Sequence, residues 1–479
     1  LSTCVGGTDN PNDEPYDAMF FEEYGVNPFV DTDEDNLSTF AVDVDTGSYT
    51  IMRYYVNDGH IPPDESVRVE EYINYFDQEY SPPTEGEGAF AIHLEGAPSL
   101  FGSEHHHLVR VGLQGYYPSP ENRPDVVLTF VIDVSGSMNR QNRLGLVKDA
   151  LELLVGELRP TDQIGIAVYG SRGYELLEHT PVSEANTILA AINSLQSEGS
   201  TNAEEGLRIG YQMAAEALDP QAINRVILCS DGVANVGNTG AETILEQISG
   251  YAADGIYLTT VGFGMGNYND VLMEQLADQG DGFYAYVDTL DEAERLFVTD
   301  LLSTLQVIAR DARIQVQFNP AVVRSYRLIG YENRDVADED FRNDSVDAGE
   351  IGVGHSVTAL YEIKLWEGAS ATDQAMIVYV RYEDPETNET IEINRAISWS
   401  EFANTFEDTS PRFQLAAVVA EYAEVLRNSY WARGSSLEDV LAEARRAGAY
   451  FVGDDQVSEL VRLIEIASSL AAEDKPDSQ

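Results

Sequence analysis

Asp133, Ser135 and Ser137 alternate through the run Val131-Ile132-Asp133-Val134-Ser135-Gly136-Ser137-Met138, a carboxylate and two hydroxyls with no histidine or cysteine beside them. A donor set made only of oxygen suits a hard divalent cation, magnesium or manganese, better than zinc or copper. Gly136 lets the turn tighten so that both hydroxyls aim at one point. Two more stretches offer the remaining oxygens. Thr201 lies in Gly199-Ser200-Thr201-Asn202, a small polar loop that opens a helix, and Asp231 lies in Ser230-Asp231-Gly232, directly after the apolar run 225–229.

The elements that must position these residues follow from periodicity. Between about 125 and 306, short apolar runs (126–132, 164–169, 175–177, 225–229, 256–261 and 282–287) alternate with amphipathic segments (144–158, 203–217, 244–253, 271–277 and 292–302). Strands alternating with helices at this spacing predict an open, doubly wound α/β domain with a mostly parallel sheet covered on both faces. In such sheets ligands bind at the carboxyl edge of the strands, which is where Asp133, Thr201 and Asp231 all fall. Before this domain, 39–45 alternates like a strand and 67–76 has helical spacing, with strands expected at 90–94 and 108–113. After it, strands are expected at 314–318, 357–365, 376–382 and 391–398, then helices at 413–426, 437–447 and 457–470. The chain therefore divides into an acidic tether (1–36), an N-terminal region (37–120), the α/β domain (121–306), a β-rich region (307–400) and a helical region (401–479). The strands on either side of the α/β domain can pair into one sandwich, which makes that domain an insertion.

Other constellations carry less. Adjacent histidines on a strand point to opposite faces, so His105-His106-His107 cannot share one zinc ion and reads as surface or turn histidines. Asp43 and Asp45 have calcium-like spacing but suit the capping of a following turn better. Gly262-Phe263-Gly264-Met265-Gly266 lacks the lysine and spacing of a phosphate loop and reads as a tight loop beside the metal site. Nucleophilic hydrolysis by Ser135 or Ser137 would need a histidine base at the sheet edge, and the nearest candidate, His179, is expected on the surface. A metal-dependent hydrolase would need a second metal cluster. The chain is therefore expected to bind rather than catalyse.

Charge bounds the partners. The 479 residues hold 83 Asp+Glu against 28 Lys+Arg, a formal net charge of −55, and the lysines are Lys148, Lys364 and Lys475 alone. Nucleic acid and anionic lipid headgroups are excluded as partners by repulsion, and an acidic surface of this kind is expected to gain stability with salt. The 43% hydrophobic share is that of a folded protein. Cys229 sits in an apolar strand, as a small buried thiol does. Cys4, in Leu1-Ser2-Thr3-Cys4, looks like the lipidated residue of a bacterial lipoprotein, with Thr3 in place of the usual Gly, Ala or Ser. No run of the roughly 18 apolar residues that span a bilayer occurs, so membrane attachment would rest on that lipid.

Taken together, Asp133-x-Ser135-x-Ser137, Thr201 in its Gly-Ser-Thr loop and Asp231 after a strand resemble the metal-ion-dependent adhesion site of von Willebrand factor A domains. The resemblance implies Ser135, Ser137 and Thr201 as hydroxyl ligands and Asp133 and Asp231 as carboxylates acting directly or through water. It implies one divalent ion, magnesium first and manganese or calcium as alternatives, with an open position for a carboxylate from a protein partner. Ser38-Thr39-Phe40-Ala41-Val42-Asp43-Val44-Asp45-Thr46-Gly47-Ser48-Tyr49, the run from Val67 to Phe76, and residues from about 307 to 472 are similar to bacterial YfbK-like proteins. The expectation is an adhesion or binding module of the cell envelope, lipid-anchored through Cys4 and exposed outside the cytoplasmic membrane. A structural envelope component, in which the metal only stabilises loops, is the alternative.

Overall fold

The computed structural model describes residues 21, 24–84, 88–102, 105–117, 123–232, 241–264, 270–300, 305–343, 346, 348–370, 373–385 and 387–473. Cys4 lies outside them. The chain divides into two units, Pro124–Asp300 in one and Glu23–Arg123 with Leu301–Gln479 in the other. The regions read separately as 37–120, 307–400 and 401–479 thus share one unit.

That unit begins with β1 (Val30–Asp31), β2 (Leu37–Ala41), α1 (Gly47–Asn57), α2 (Val69–Asn74), β3 (Phe90–Pro98) and β4 (His106–Gly115). Helix α1 has no counterpart among the expected elements; its residues Gly47 to Arg53 are all buried, so it lacks the polar stripe that periodicity detects.

The α/β unit follows as β5 (Val126–Asp133), α3 (Arg143–Glu157), β6 (Gln163–Tyr169), β7 (Gly173–Pro181), α4 (Ala185–Ser194), α5 (Ala203–Glu216), β8 (Ile223–Ser230), α6 (Ala241–Ala253), β9 (Ile256–Phe263), α7 (Asp270–Asp278), β10 (Tyr284–Val287) and α8 (Leu290–Glu294). Its sheet runs β10-β9-β8-β5-β6-β7, parallel throughout except for the antiparallel edge strand β7. Every residue of β5 is buried, which is why it reads as a continuous apolar run. Strand β5 has β6 on one side and β8 on the other, so the strand order reverses there, and Asp133 ends β5 at that switch point. Helix α5 is drawn close to the sheet by two missing side chains. A Cβ on Gly206 would lie 2.4 Å from the Tyr169 ring, and one on Gly210 would lie 2.2 Å from Val131. Helix α8 is shorter than the expected 292–302; it passes into a π-type turn at Arg295–Thr299.

The chain then returns to the first unit with β11 (Val307–Phe318), β12 (Val323–Ile329), β13 (Gly349–Gly352), β14 (Ser356–Leu365), β15 (Gln374–Glu383), β16 (Thr390–Ser398), α9 (Pro411–Leu426), α10 (Leu437–Gly448) and α11 (Asp455–Glu473). One sheet is β1-β12-β14-β4-β3; the other is β13-β11-β15-β16, with β2 also on β11. Strands from before and after the α/β unit pair directly, Val111 with Ala359 and Phe40 with Ile314. Val111, Tyr361, Ile314 and Val378 share the core between the sheets. Leu108 and Leu360, on the opposite face of the first sheet, join Tyr72, Phe413, Val418 and Leu460 in a second core under the helices. Among the described residues no helix is long and apolar enough to cross a membrane.

Candidate metal centre

Asp133 ends β5 with its side chain folded onto the turn that follows. Its Oδ1 accepts the Ser135 backbone N–H at 2.7 Å and its Oδ2 accepts the Ser230 hydroxyl at 3.1 Å. The Ser135 and Ser137 hydroxyl oxygens are 3.0 Å apart, and Ser137 donates to Asp231 Oδ1 at 3.0 Å. The loop before α5 is laid against the same turn by its backbone: Gly136 N–H donates to Gly199 O at 3.1 Å, Glu198 N–H donates to Val134 O at 2.6 Å, and the Ser197 hydroxyl donates to Ser135 O at 2.7 Å. Gly199 adopts φ +77°, and a Cβ there would run into Ser171, so the loop turns at the one residue that permits it. Thr201 follows two residues later, half-buried, and Asn202 caps α5 by accepting the Glu205 N–H. Hydrogen bonds link Asp133, Ser135, Ser137 and Asp231 into one set, and Thr201 stands on the loop that the backbone bonds hold beside them.

Two carboxylates in this set are out of water, Asp133 at 0% and Asp231 at 3% exposure, while Ser137 and Thr201 are half-buried and Gly136 is exposed. Ser135, at 1% exposure, is buried with the carboxylates, so Ser137 and Thr201 form the more open side of the set. Burial pushes the Asp133 carboxyl up to about 6, against the hydrogen bonds from Ser135, and the nearby Asp231 charge adds to the rise. Burial also raises Asp231, opposed by Ser137 and by Arg143. Both carboxylates thus lack the hydration that an anion needs, the condition a bound cation relieves.

Periodicity and motif spacing missed two partners here. Ser230 carries no mark beyond preceding Asp231. Arg143 donates to Asp231 Oδ2 at 2.5 Å, and only its deep burial, which a sequence does not state, marks it out. Gly264, in the loop after β9, touches the same residue: at φ +79° its Cβ would lie 2.4 Å from Arg143 Nε. The remainder of that glycine-rich loop, 265–269, lies outside the described residues.

The other candidates resolve separately. His179, expected on the surface, is half-buried on edge strand β7, with its Nε2 2.9 Å from the Thr129 hydroxyl and its pKa lowered by burial to about 4. Gly165 makes that possible, since a Cβ there would lie 2.8 Å from the imidazole. Thr129 is four residues back along β5 from Asp133, about 13 Å at a strand's rise, so His179 is no base for Ser135. His105 is exposed in the turn before β4, as expected, whereas His106 and His107 are half-buried, because β4 is an inner strand between β3 and β14. His106 Nδ1 lies 2.6 Å from Glu362 Oε1, and His107 packs edge-on against Trp399. Strand β2 ends at Ala41, and Asp43 Oδ1 accepts the Asp45 N–H at 2.8 Å, the contact of a turn.

Comparison with known proteins bears on each part of the chain. The family described as von Willebrand factor type A domain matches residues 128–233, which takes in Asp133, Ser135, Ser137, Thr201 and Asp231. A second, described as von Willebrand factor, matches 15–110, and a third, described as the C-terminal part of the uncharacterized protein YfbK, matches 303–470. The protein YfbK of Escherichia coli (strain K12) is 34% identical over 476 residues, covering 94% of this chain and 81% of that protein. The inter-alpha-trypsin inhibitor heavy chain H3 of Homo sapiens is 30% identical over 187 residues, 36% of this chain and 20% of that one. Among solved structures, a von Willebrand factor type A protein from Catenulispora acidiphila aligns with a TM-score of 0.43 at 15% identity, over 82% of this chain and 89% of that one. With more than a third of its residues shared with YfbK along nearly its whole length, and with the A-type domain in its middle, the chain belongs to the YfbK family of von Willebrand factor A domain proteins.

Proposed function

We propose that the protein is a metal-dependent protein-binding module, in which Asp133, Ser135, Ser137, Thr201 and Asp231 hold one magnesium ion and a vacant position on that ion receives a carboxylate from a protein partner. The observation that carries this reading is the convergence of the Asp133, Ser135, Ser137 and Asp231 oxygens from two separate stretches of chain at the switch point of the sheet, with both carboxylates buried and the loop that carries Thr201 fastened to the same turn. The all-oxygen donor set suits a hard cation, magnesium first, with manganese or calcium as alternatives.

The ion supplies a point of strong positive potential on a chain of net charge −55, so an acidic partner can be held where Coulomb repulsion would otherwise refuse it. The protein's own groups do the rest. The Ser135 N–H and the Ser230 hydroxyl fix both oxygens of Asp133, and the loop 197–201 is fastened by its backbone to the turn that carries the serines. The chemistry is binding and not catalysis, and the setting is the bacterial cell envelope, with a lipid on Cys4 as the anchor.

The test is a pull-down from the source cells with wild type and Asp133→Ala, each with magnesium and with EDTA. Partner capture is expected to require magnesium and to vanish in the variant, while circular dichroism shows both folded. Capture that survives EDTA or the substitution overturns the proposal, and a metal serving only to stabilise loops would change the melting temperature without changing the partners.

A further inference from the structure

Arg143 is the first residue of α3, a helix of 15 residues. A cation in that position opposes the helix dipole, whose positive end lies there, and burying it adds a desolvation cost. The side chain is nevertheless 4% exposed, and its Nη1 meets Asp231 Oδ2 at 2.5 Å while Ser137 takes the other oxygen of the same carboxylate. The loop after β9 leaves room for the guanidinium by placing Gly264 against it. Three elements thus combine to keep an arginine where neither helix nor burial favours it.

We propose that Arg143 is an internal counter-cation of the metal centre: it neutralises Asp231 when no divalent ion is bound, and the ion must bind against its charge. The inference rests on the metal reading above and gives it a regulatory feature. Without the arginine, two buried carboxylates would face each other alone and the ion-free domain would be poorly stable. With it, the ion-free domain stays folded and metal occupancy becomes a reversible response to ion concentration. A double charge repelled by a single one about 6 Å away loses roughly tenfold in affinity even at the dielectric constant of water.

The experiment is a calorimetric titration of the whole chain with magnesium, together with its melting temperature in magnesium and in EDTA. Arg143→Gln is expected to bind magnesium about tenfold more tightly, to melt lower in EDTA and so to widen the gap between the two conditions. Arg143→Lys keeps the charge and is expected to stay near the wild-type affinity. Arg143→Met keeps much of the stem and removes the charge; affinity is expected to rise as in Arg143→Gln, and this variant decides the matter if Arg143→Gln does not fold. Affinity that falls or stays level in Arg143→Gln, or in Arg143→Met where that variant decides, overturns the counter-cation role and leaves the metal reading standing. A wild type that binds no magnesium overturns both.

Discussion

A carboxylate taken out of water either meets a cation or holds its proton, and this chain uses both solutions. Asp231 meets Arg143, whereas Glu421, on α9, is pushed up to about 7 by burial, with the nearby Glu424 charge adding to the rise. Its ordinary value is 4.5, so the unfolded chain releases this proton near that pH while the folded chain keeps it until about 7. A raised carboxyl contributes stability that is full below 4.5 and lost as the pH climbs through 7. Glu421→Gln, a neutral copy, is therefore expected to match wild type in urea unfolding at pH 4.5 and to exceed it at pH 8 by about 2 kcal/mol, after a discount for partial exposure. A difference between the two proteins that does not change with pH would refute this. Residues of this kind are the ones a sequence hides. Asp133, Ser135 and Ser137 announce themselves because three donors share one short turn, but the roles of Arg143, Ser230 and Glu421 depend on burial and on partners as many as 97 positions away.

At the scale of elements, legibility followed amphipathicity. Strands β5, β8 and β9 stood out as apolar runs because helices cover both faces of their sheet, and α5 because one of its faces is polar. Helix α1 and strand β12 did not: α1 is buried nearly all round, and β12 carries Arg324, Ser325 and Arg327 among its apolar residues, with Arg327 paired to buried Glu424 and Glu362. Helix α5 shows how an element sets a site at its end. Its Gly206 and Gly210 let it lie against Tyr169 and Val131, and Thr201, two residues before the helix, stands on the loop whose backbone is bonded to the Asp133 turn. Replacing a helix glycine by alanine ordinarily gains about 1 kcal/mol in an exposed helix, yet the added Cβ at 206 would stand 2.4 Å from a buried ring. Overpacking of this sort costs about 1–3 kcal/mol, so the clash should win. Gly206→Ala is expected to lower the unfolding midpoint and to weaken magnesium binding, and a stabilised variant with unchanged affinity would show that α5 can shift freely.

Over the whole molecule, 83 acidic groups against 28 basic ones leave a surface that repels itself. Salt shortens the range of that repulsion from about 10 Å at 0.1 M to about 3 Å at 1 M, while buried pairs such as Arg327 with Glu424, at 5% and 2% exposure, are screened far less. The repulsive part of the balance therefore weakens with salt and the attractive part survives. In EDTA, so that no divalent ion takes part, raising potassium chloride from 0.1 M to 2 M is expected to lift the thermal midpoint by several degrees; a midpoint indifferent to salt would mean that the acidic groups are too far apart to repel. The same imbalance extends to association. A partner that offers a carboxylate to the metal approaches a like-charged surface, so its on-rate with magnesium present should rise with ionic strength, the reverse of ordinary charge-steered binding. Stopped-flow measurement across that salt range checks the sign, and a rate that falls would identify a basic partner surface in place of an acidic one.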